Sequence, residues 1–199
     1  MSATTSLTAI KRRSRFTLFS IMYHVVLVHP EIPPNTGNII RLCANTGSKL
    51  HLIKPLGFSV DDKHLVRAGL DYHEMTTLTV YENWDDFLAR ENPDRTRMFA
   101  MTTKGSSVFS TMHFQNGDWL VFGSEGKGLP DAVRDFFPAS QRIRLPMFPD
   151  NRSLNLSNAV AVVCDKSASD LHNHAVRIFK HGFRHSRPHR GFSLMSISS

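Results

Sequence analysis

Residues 143–158 read IRLPMFPDNRSLNLSN, and this stretch shows how the chain is organised. A short apolar strand ends at Pro146, a polar loop follows, and small and amide side chains open an apolar run from Leu154. The order predicts a strand, a loop and then a helix. Such a loop can wrap a flat, polar ligand with backbone groups and small side chains.

The same alternation of apolar runs and turn residues extends along the chain. It predicts an α/β fold, with a mostly parallel sheet and helices on both faces. Asn35 or Thr36 is expected to cap the first helix, which Gly47 ends. Strands are predicted over 23–29, 50–53, 78–81, 98–103, 119–123 and 143–147, and further helices over 61–68, 84–90, 131–136 and from 154.

The positive charge is unevenly distributed. The net charge is +7, but residues 1–21 carry four basic residues and no acid, and residues 164–199 carry six basic and two acidic residues. Residues 22–163 are nearly balanced, so any RNA contact there is expected to be a local patch. The chain therefore divides into a disordered basic extension over 1–21, a folded domain over 22–163, and a His- and Arg-rich tail over 164–199 that is expected to be frayed or disordered.

Composition also bears on location and on metals. Cys43 and Cys164 lack zinc-type spacing and are too few for a disulfide framework, which favours a reducing compartment. No apolar run is long enough to span a bilayer, so no membrane partner is expected. The eleven histidines show no ligand spacing, so no metal site is expected. We predict a cytoplasmic protein, or an organellar one if residues 1–21 are a transit peptide.

Two further motifs could carry chemistry. Residues 122–130 read FGSEGKGLP, a glycine-rich turn between a predicted strand and a predicted helix, without the spacing of a nucleotide-binding loop. Arg41 follows Asn35 by six residues, and a planar guanidinium can grip a phosphate through two parallel hydrogen bonds. Taken singly, the turn could be ordinary turn chemistry and Arg41 a surface side chain.

Together and in this order, residues 35–41 (NTGNIIR), 122–130 and 143–158 resemble the signature of the SPOUT superfamily of RNA methyltransferases. The similarity is greatest to the minimal branch that methylates the ribose of the tRNA wobble nucleotide, and it covers 22–163 almost continuously. The resemblance implies a deep C-terminal trefoil knot, a homodimer with each site built from both chains, S-adenosyl-L-methionine as cofactor and tRNA as substrate.

The resemblance also implies roles for individual residues. Arg41 would be the catalytic residue, and because a guanidinium rarely gives up its proton, a clamp that orients the ribose hydroxyl is the safer assignment. Substrate would be bound by Asn35, Arg41, Lys104 and Asn155. The implied cofactor contacts are Met101, Thr102, Gly123, Glu125, Ile143, Leu145, Pro146, Ser153 and Leu154.

The sequence leaves alternatives open. The 2′-O-methyl transfer could act on another tRNA or rRNA site. After Val163 the chain departs from the family pattern, and Asp165 stands where relatives carry an aromatic residue near the substrate. A non-catalytic RNA- or cofactor-binding protein, disabled by this altered end, is therefore the alternative from another class.

Overall fold

The chain forms an α/β structure around one parallel sheet. The computed structural model describes residues 23–59, 78–147 and 154–166. The strands are β1 (His24–Val28), β2 (Lys49–Ile53), β3 (Leu78–Tyr81), β4 (Met98–Met101), β5 (Ser107–Val108), β6 (Trp119–Phe122) and β7 (Arg142–Arg144). The helices are α1 (Pro33–Thr46), α2 (Trp84–Glu91), α3 (Asp131–Asp135) and α4 (residues 156–166), with single 3-10 turns at Arg95–Arg97, Phe109–Thr111 and Ala139–Gln141.

The seven strands lie in the order β3-β2-β1-β6-β4-β7-β5, and every neighbouring pair is parallel. The predicted parallel sheet is confirmed. Its central strands read as continuous apolar runs because parallel strands are covered on both faces. The sequence missed β5, since a two-residue strand carries no periodic signal.

Helices cover both faces of the sheet, as predicted. On one face, α1 and α4 bury Ile39, Ile40, Val160 and Val163 against the strands. On the other face, α2 and α3 contribute Phe87 and Val133 to a second cluster of buried residues. Its other members include Tyr81, Trp119, Val121 and Phe137. Each face therefore has its own apolar core, and the sheet is sandwiched between them.

The start of α1 differs from its prediction. The helix begins at Pro33, and Ile32 occupies the N-cap position without a side-chain capping bond, so the expectation of a cap at Asn35 or Thr36 was wrong. Proline suits the first helical positions because it lacks the N–H that would be unpaired there. The predicted end is confirmed: Gly47 closes α1 in the left-handed conformation with a φ of 70°.

Helix α4 begins at a side-chain cap. The Asn155 Oδ1 atom accepts hydrogen bonds from the backbone N–H groups of Ser157 at 2.9 Å and Asn158 at 3.4 Å. The helix continues through residue 166, and Cys164 is buried in the core. The predicted helix over 61–68, the extension 1–21 and the tail beyond 166 lie outside the described residues.

A chain of polar side chains runs through the aromatic core on the α2 side of the sheet. The His24 Nδ1 and His51 Nε2 atoms are 3.0 Å apart, and His51 Nδ1 is 2.7 Å from the Tyr81 hydroxyl. That hydroxyl donates to Glu91 Oε1 at 2.5 Å. Because the carboxylate only accepts, the Tyr81 oxygen must accept from His51, and His51 Nε2 must in turn accept from His24. One carboxylate thus fixes the tautomers of both rings.

Candidate active site

A cavity opens at the carboxyl ends of β4 and β6, next to the loop after β7 and the first turns of α4. Ligands of α/β proteins bind at this edge of the sheet. Its wall combines apolar side chains such as Leu156 with polar ones such as Ser124. Seven of the residues singled out in the sequence line it: Met101, Thr102, Lys104, Gly123, Glu125, Leu145 and Leu154.

Two other predicted cofactor residues lie beside the cavity rather than in its wall. Ile143 is fully buried in the core, and its carbonyl accepts the Thr102 N–H at 2.9 Å, which joins the end of β4 to β7. Pro146 is exposed in the following loop. Ser153 lies outside the described residues. The cofactor roles of these residues stay predictions.

The glycine-rich turn after β6 closes on itself. The Ser124 N–H donates to the Gly128 carbonyl at 3.1 Å, and the Gly128 N–H donates back to the Ser124 carbonyl at 3.0 Å. A Cβ on Gly123 would collide with the backbone of Gly128 and Leu129. Glycine at position 123 is therefore required by the fold of the turn itself, independently of any ligand.

The Glu125 side chain reaches out of this turn to the start of α1. Its Oε2 atom accepts the Glu31 N–H at 2.8 Å, and its Oε1 atom accepts the Ile32 N–H at 3.3 Å and the Asn35 Nδ2 group at 2.9 Å. Glu31 makes the reciprocal contact, since its Oε2 atom accepts a hydrogen bond from the Gly126 N–H of the turn at 3.2 Å. Two carboxylates thus tie the two segments together.

Asn35 extends this connection to α4. Its Oδ1 atom accepts a hydrogen bond from Asn155 Nδ2 at 2.9 Å. The carboxylate of Glu125 can only accept, so Asn35 must present its amide nitrogen to Glu125 and its oxygen to Asn155. The predicted substrate residues Asn35 and Asn155 are therefore brought together, 120 residues apart in the chain.

Arg41 lies on the exposed part of α1 and does not line the cavity of its own chain. A helix rises about 1.5 Å per residue, so Arg41 is roughly 9 Å along α1 from Asn35. Its neighbours on α1, Ile39, Ile40 and Cys43, are buried in the core.

Several residues at this edge of the sheet were not predicted from the sequence as site residues. Lys127 and Arg134 line the cavity, and Arg134 is held there by Asp131 and Asp135 through hydrogen bonds of 2.5 and 3.2 Å. Glu31 forms part of the carboxylate pair described above. No local pattern announces that pair, because its partners are more than ninety residues apart.

The described ranges also bear on metals and membranes. Within 23–59, 78–147 and 154–166, no group of three or more His, Cys, Asp or Glu residues could hold a metal ion. None of the helices in these ranges is both long enough and apolar enough for a membrane span.

These features define the class of protein. Residues 22–165 match the model of the SpoU rRNA Methylase family, which covers more than half of the chain, and the protein belongs to this family. The parallel sheet, the cavity at its carboxyl edge and the glycine-rich turn are the structural counterpart of that match.

Individual members of the family are similar to this chain in sequence and in structure. The chain is 64% identical over 142 residues to a tRNA (cytidine(34)-2'-O)-methyltransferase of Burkholderia cenocepacia, a match that covers 71% of this chain and 91% of the relative. It is 59% identical over 142 residues to the Escherichia coli K12 protein of the same name, covering 71% of this chain and 89% of that protein. A solved structure described as giving insights into the 2-OH methylation of C/U34 on tRNA is similar with a TM-score of 0.70 and 40% identity, covering 77% of this chain and 99% of that one.

Proposed function

We propose that this protein transfers the methyl group of S-adenosyl-L-methionine to the ribose 2′-hydroxyl of a tRNA pyrimidine at wobble position 34. The observation that carries the proposal is the cavity at the carboxyl edge of β4 and β6, in a chain 64% identical to a relative with that named activity. This edge of a parallel sheet is where the ends of several strands can contact one ligand.

The residues of the cavity fit the cofactor. Apolar side chains of Met101, Leu145 and Leu156 offer surface for an adenine ring, while Thr102 and Ser124 offer polar groups for the ribose and amino-acid parts. When bound there, the cofactor supplies an electrophilic methyl group on a sulfonium. The contribution of the chain is to hold that group and to exclude water around it.

Arg41 would act on the RNA. Its guanidinium can grip a backbone phosphate through two parallel hydrogen bonds and so hold the reacting hydroxyl in line with the methyl group. Lys104, exposed at the mouth of the cavity, would contact a second phosphate. Asn35 and Asn155 are hydrogen-bonded to each other. They would therefore contribute to RNA binding indirectly, by holding the start of α1 next to the start of α4.

The trefoil knot and the homodimer belong to the same proposal. The resemblance implies both, and family membership supports them. A dimer that builds each site from two chains would also account for the place of Arg41 outside the cavity of its own chain. The cytoplasm is the proposed location.

The test is transfer of radiolabelled methyl from S-adenosyl-L-methionine to total tRNA, followed by mapping of the labelled nucleotide. We expect label at the ribose of nucleotide 34. Label at another tRNA nucleotide or in rRNA would redirect the proposal to a different RNA site. Binding of the cofactor without any transfer would instead support the non-catalytic alternative.

Arg41 variants sharpen this test. Arg41→Ala should nearly abolish transfer while cofactor affinity measured by calorimetry stays within about threefold, because the guanidinium acts on RNA. Arg41→Lys should recover little, since a single ammonium lacks the planar fork. Arg90→Ala removes an exposed arginine on α2, whose salt bridge to Asp86 lies outside the cavity, and should retain full activity. Full activity in Arg41→Lys would contradict the clamp.

A further inference from the structure

The Glu125 carboxylate is occupied by the protein itself. Its two oxygens accept three hydrogen bonds, from the N–H groups of Glu31 and Ile32 and from the Asn35 amide, at 2.8, 3.3 and 2.9 Å. The family resemblance implies that Glu125 contacts the cofactor. With these donors in place, its side chain is directed to the start of α1, and the residue contributes to the cavity as part of a turn.

The start of α1 needs an acceptor from elsewhere. The cap position, Ile32, supplies no side-chain bond. Pro33 and Pro34 have no N–H, and the N–H groups of Asn35 and Thr36 bond to the Ile32 carbonyl at 3.1 and 3.3 Å. Glu125 takes the remaining N–H of Ile32 and that of Glu31, and its negative charge lies at the positive end of the helix dipole.

The consequence reaches Arg41, because α1 is a continuous helix from Pro33 to Thr46. A change in the anchoring of its first turn moves Arg41, about 9 Å further along the helix axis, relative to the turn after β6. The same anchor holds Asn35 in the orientation that receives Asn155, so the beginning of α4 is coupled to it as well.

We propose that Glu125 is a positioning residue of the methyl-transfer site: its carboxylate caps α1 across the cavity edge and thereby sets the place of Arg41. The inference rests on the proposed function, since it assigns Glu125 an effect on the reaction through Arg41. It predicts a loss in turnover without a matching loss in cofactor affinity.

The test uses the full chain and compares Glu125→Gln with Glu82→Gln. The amide keeps the size of the side chain but offers one acceptor oxygen in place of two, so at least one of the three donors loses its partner. A misplacement of about 1 Å can cost about 100-fold in rate. We expect kcat for tRNA methylation to fall about 10- to 100-fold in Glu125→Gln, while the Kd for S-adenosyl-L-methionine and the KM for tRNA change less than about threefold. Glu82, exposed and paired with Lys54, is the matched control and should leave all three unchanged.

A double-mutant cycle separates positioning from general damage. If Glu125 acts through Arg41, the effect of Glu125→Gln on kcat should shrink to less than about threefold in an Arg41→Lys background. The same loss of kcat in both backgrounds would overturn the proposal, as would a wild-type kcat in Glu125→Gln or a loss expressed mainly in cofactor Kd.

If Glu125→Gln does not fold, Glu125→Asp carries the test, because it keeps both oxygens and shortens their reach by one methylene. We expect a smaller kcat loss with unchanged cofactor Kd, and wild-type kcat in Glu125→Asp would then overturn the proposal. The methylation assay of the wild-type chain separates failure of the proposed function from failure of the role assigned to Glu125. A wild-type chain that methylates no RNA removes the proposed function, whereas an active wild type with an unaffected Glu125→Gln removes only this inference.

Discussion

The paired histidines in the aromatic core should make the stability of this protein sensitive to mild acid. The pKa of His51 is lowered from 6.5 to about 3, mainly by burial and to a smaller extent by the charges of His24 and Lys49. Burial, followed by Lys49, lowers the pKa of His24 from 6.5 to about 4, against an opposing effect of Glu91. Both rings are therefore neutral in the folded chain at pH values where the unfolded chain already binds protons.

The sign and size of the effect follow from this difference. Well above pH 6.5 neither state is protonated and stability is at its full value. As the pH falls through 6.5, the histidines of the unfolded state bind protons while those of the folded state stay neutral, so stability declines until the pH reaches the folded pKa values. One pKa unit is worth about 1.4 kcal/mol, so His51 should cost about 2 kcal/mol between pH 6.5 and about pH 5. The share of His24 should be nearer about 1 kcal/mol, because its ring is partly solvated and screened.

The assay is urea unfolding followed by fluorescence at about pH 7, 6 and 5, in wild type, His51→Gln and His113→Gln. His51→Gln should be less stable at neutral pH, but its loss of stability towards pH 5 should be smaller than that of wild type by about 2 kcal/mol. His113 is exposed, so its replacement should preserve the wild-type slope. An unchanged slope in His51→Gln would show that the buried ring does not resist protonation and would refute the reasoning.

Three other predictions concern the turn, a buried ion pair and the end of the chain. Gly123→Ala should lower the free energy of unfolding, measured with urea, by about 1–3 kcal/mol, because the new Cβ would collide with the backbone of Gly128. A decrease of less than about 0.5 kcal/mol would contradict that packing. Asp118→Asn should cost about 2–3 kcal/mol by thermal unfolding, since it removes a buried carboxylate that Arg97 binds at 2.5 and 2.7 Å while Arg97 itself stays partly solvated. Hydrogen exchange should find weak protection over 167–199, given the frayed tail expected from its composition, and strong protection there would mark the tail as an adapted element.

The sheet could be predicted from sequence because its strands are uniformly apolar. Runs such as residues 119–122 are buried on both faces, and such burial leaves a signal in the sequence itself. β5 has two residues and no such signal. The order of the strands depends on pairings between distant segments, for example β1 with β6, which no local pattern contains.

The start of α1 could not be predicted because its capping group is not local. Capping rules look for a side chain within the first turn, and Asn35 and Thr36 were the candidates. The acceptor is instead the carboxylate of Glu125, which is 93 residues from the Ile32 N–H that it binds. Glu125 lies in the glycine-rich turn that the sequence singles out, but its partners become visible only in three dimensions.

The candidate site was predictable to the extent that its segments meet at one edge of the sheet. Met101, Gly123 and Leu145 follow or end three different strands, and parallel strands bring their carboxyl ends together. Lys127 and Arg134 also line the cavity, but an isolated Lys or Arg in a sequence is usually just solvated. Their orientation depends on how the turn and α3 are placed, which sequence spacing does not reveal.

The self-closing turn after β6 has a consequence for how this site can diversify. Two backbone bonds between residues 124 and 128 hold its ends, so β6 and α3 do not depend on the tip for their spacing. At the tip, Lys127 contributes its N–H to Ser124 Oγ at 3.2 Å, a bond that any residue except proline can make, and its side chain is exposed. Position 127 should therefore tolerate substitution without a change in the backbone of the turn. A mutation there can alter the charge that the cavity presents to a ligand.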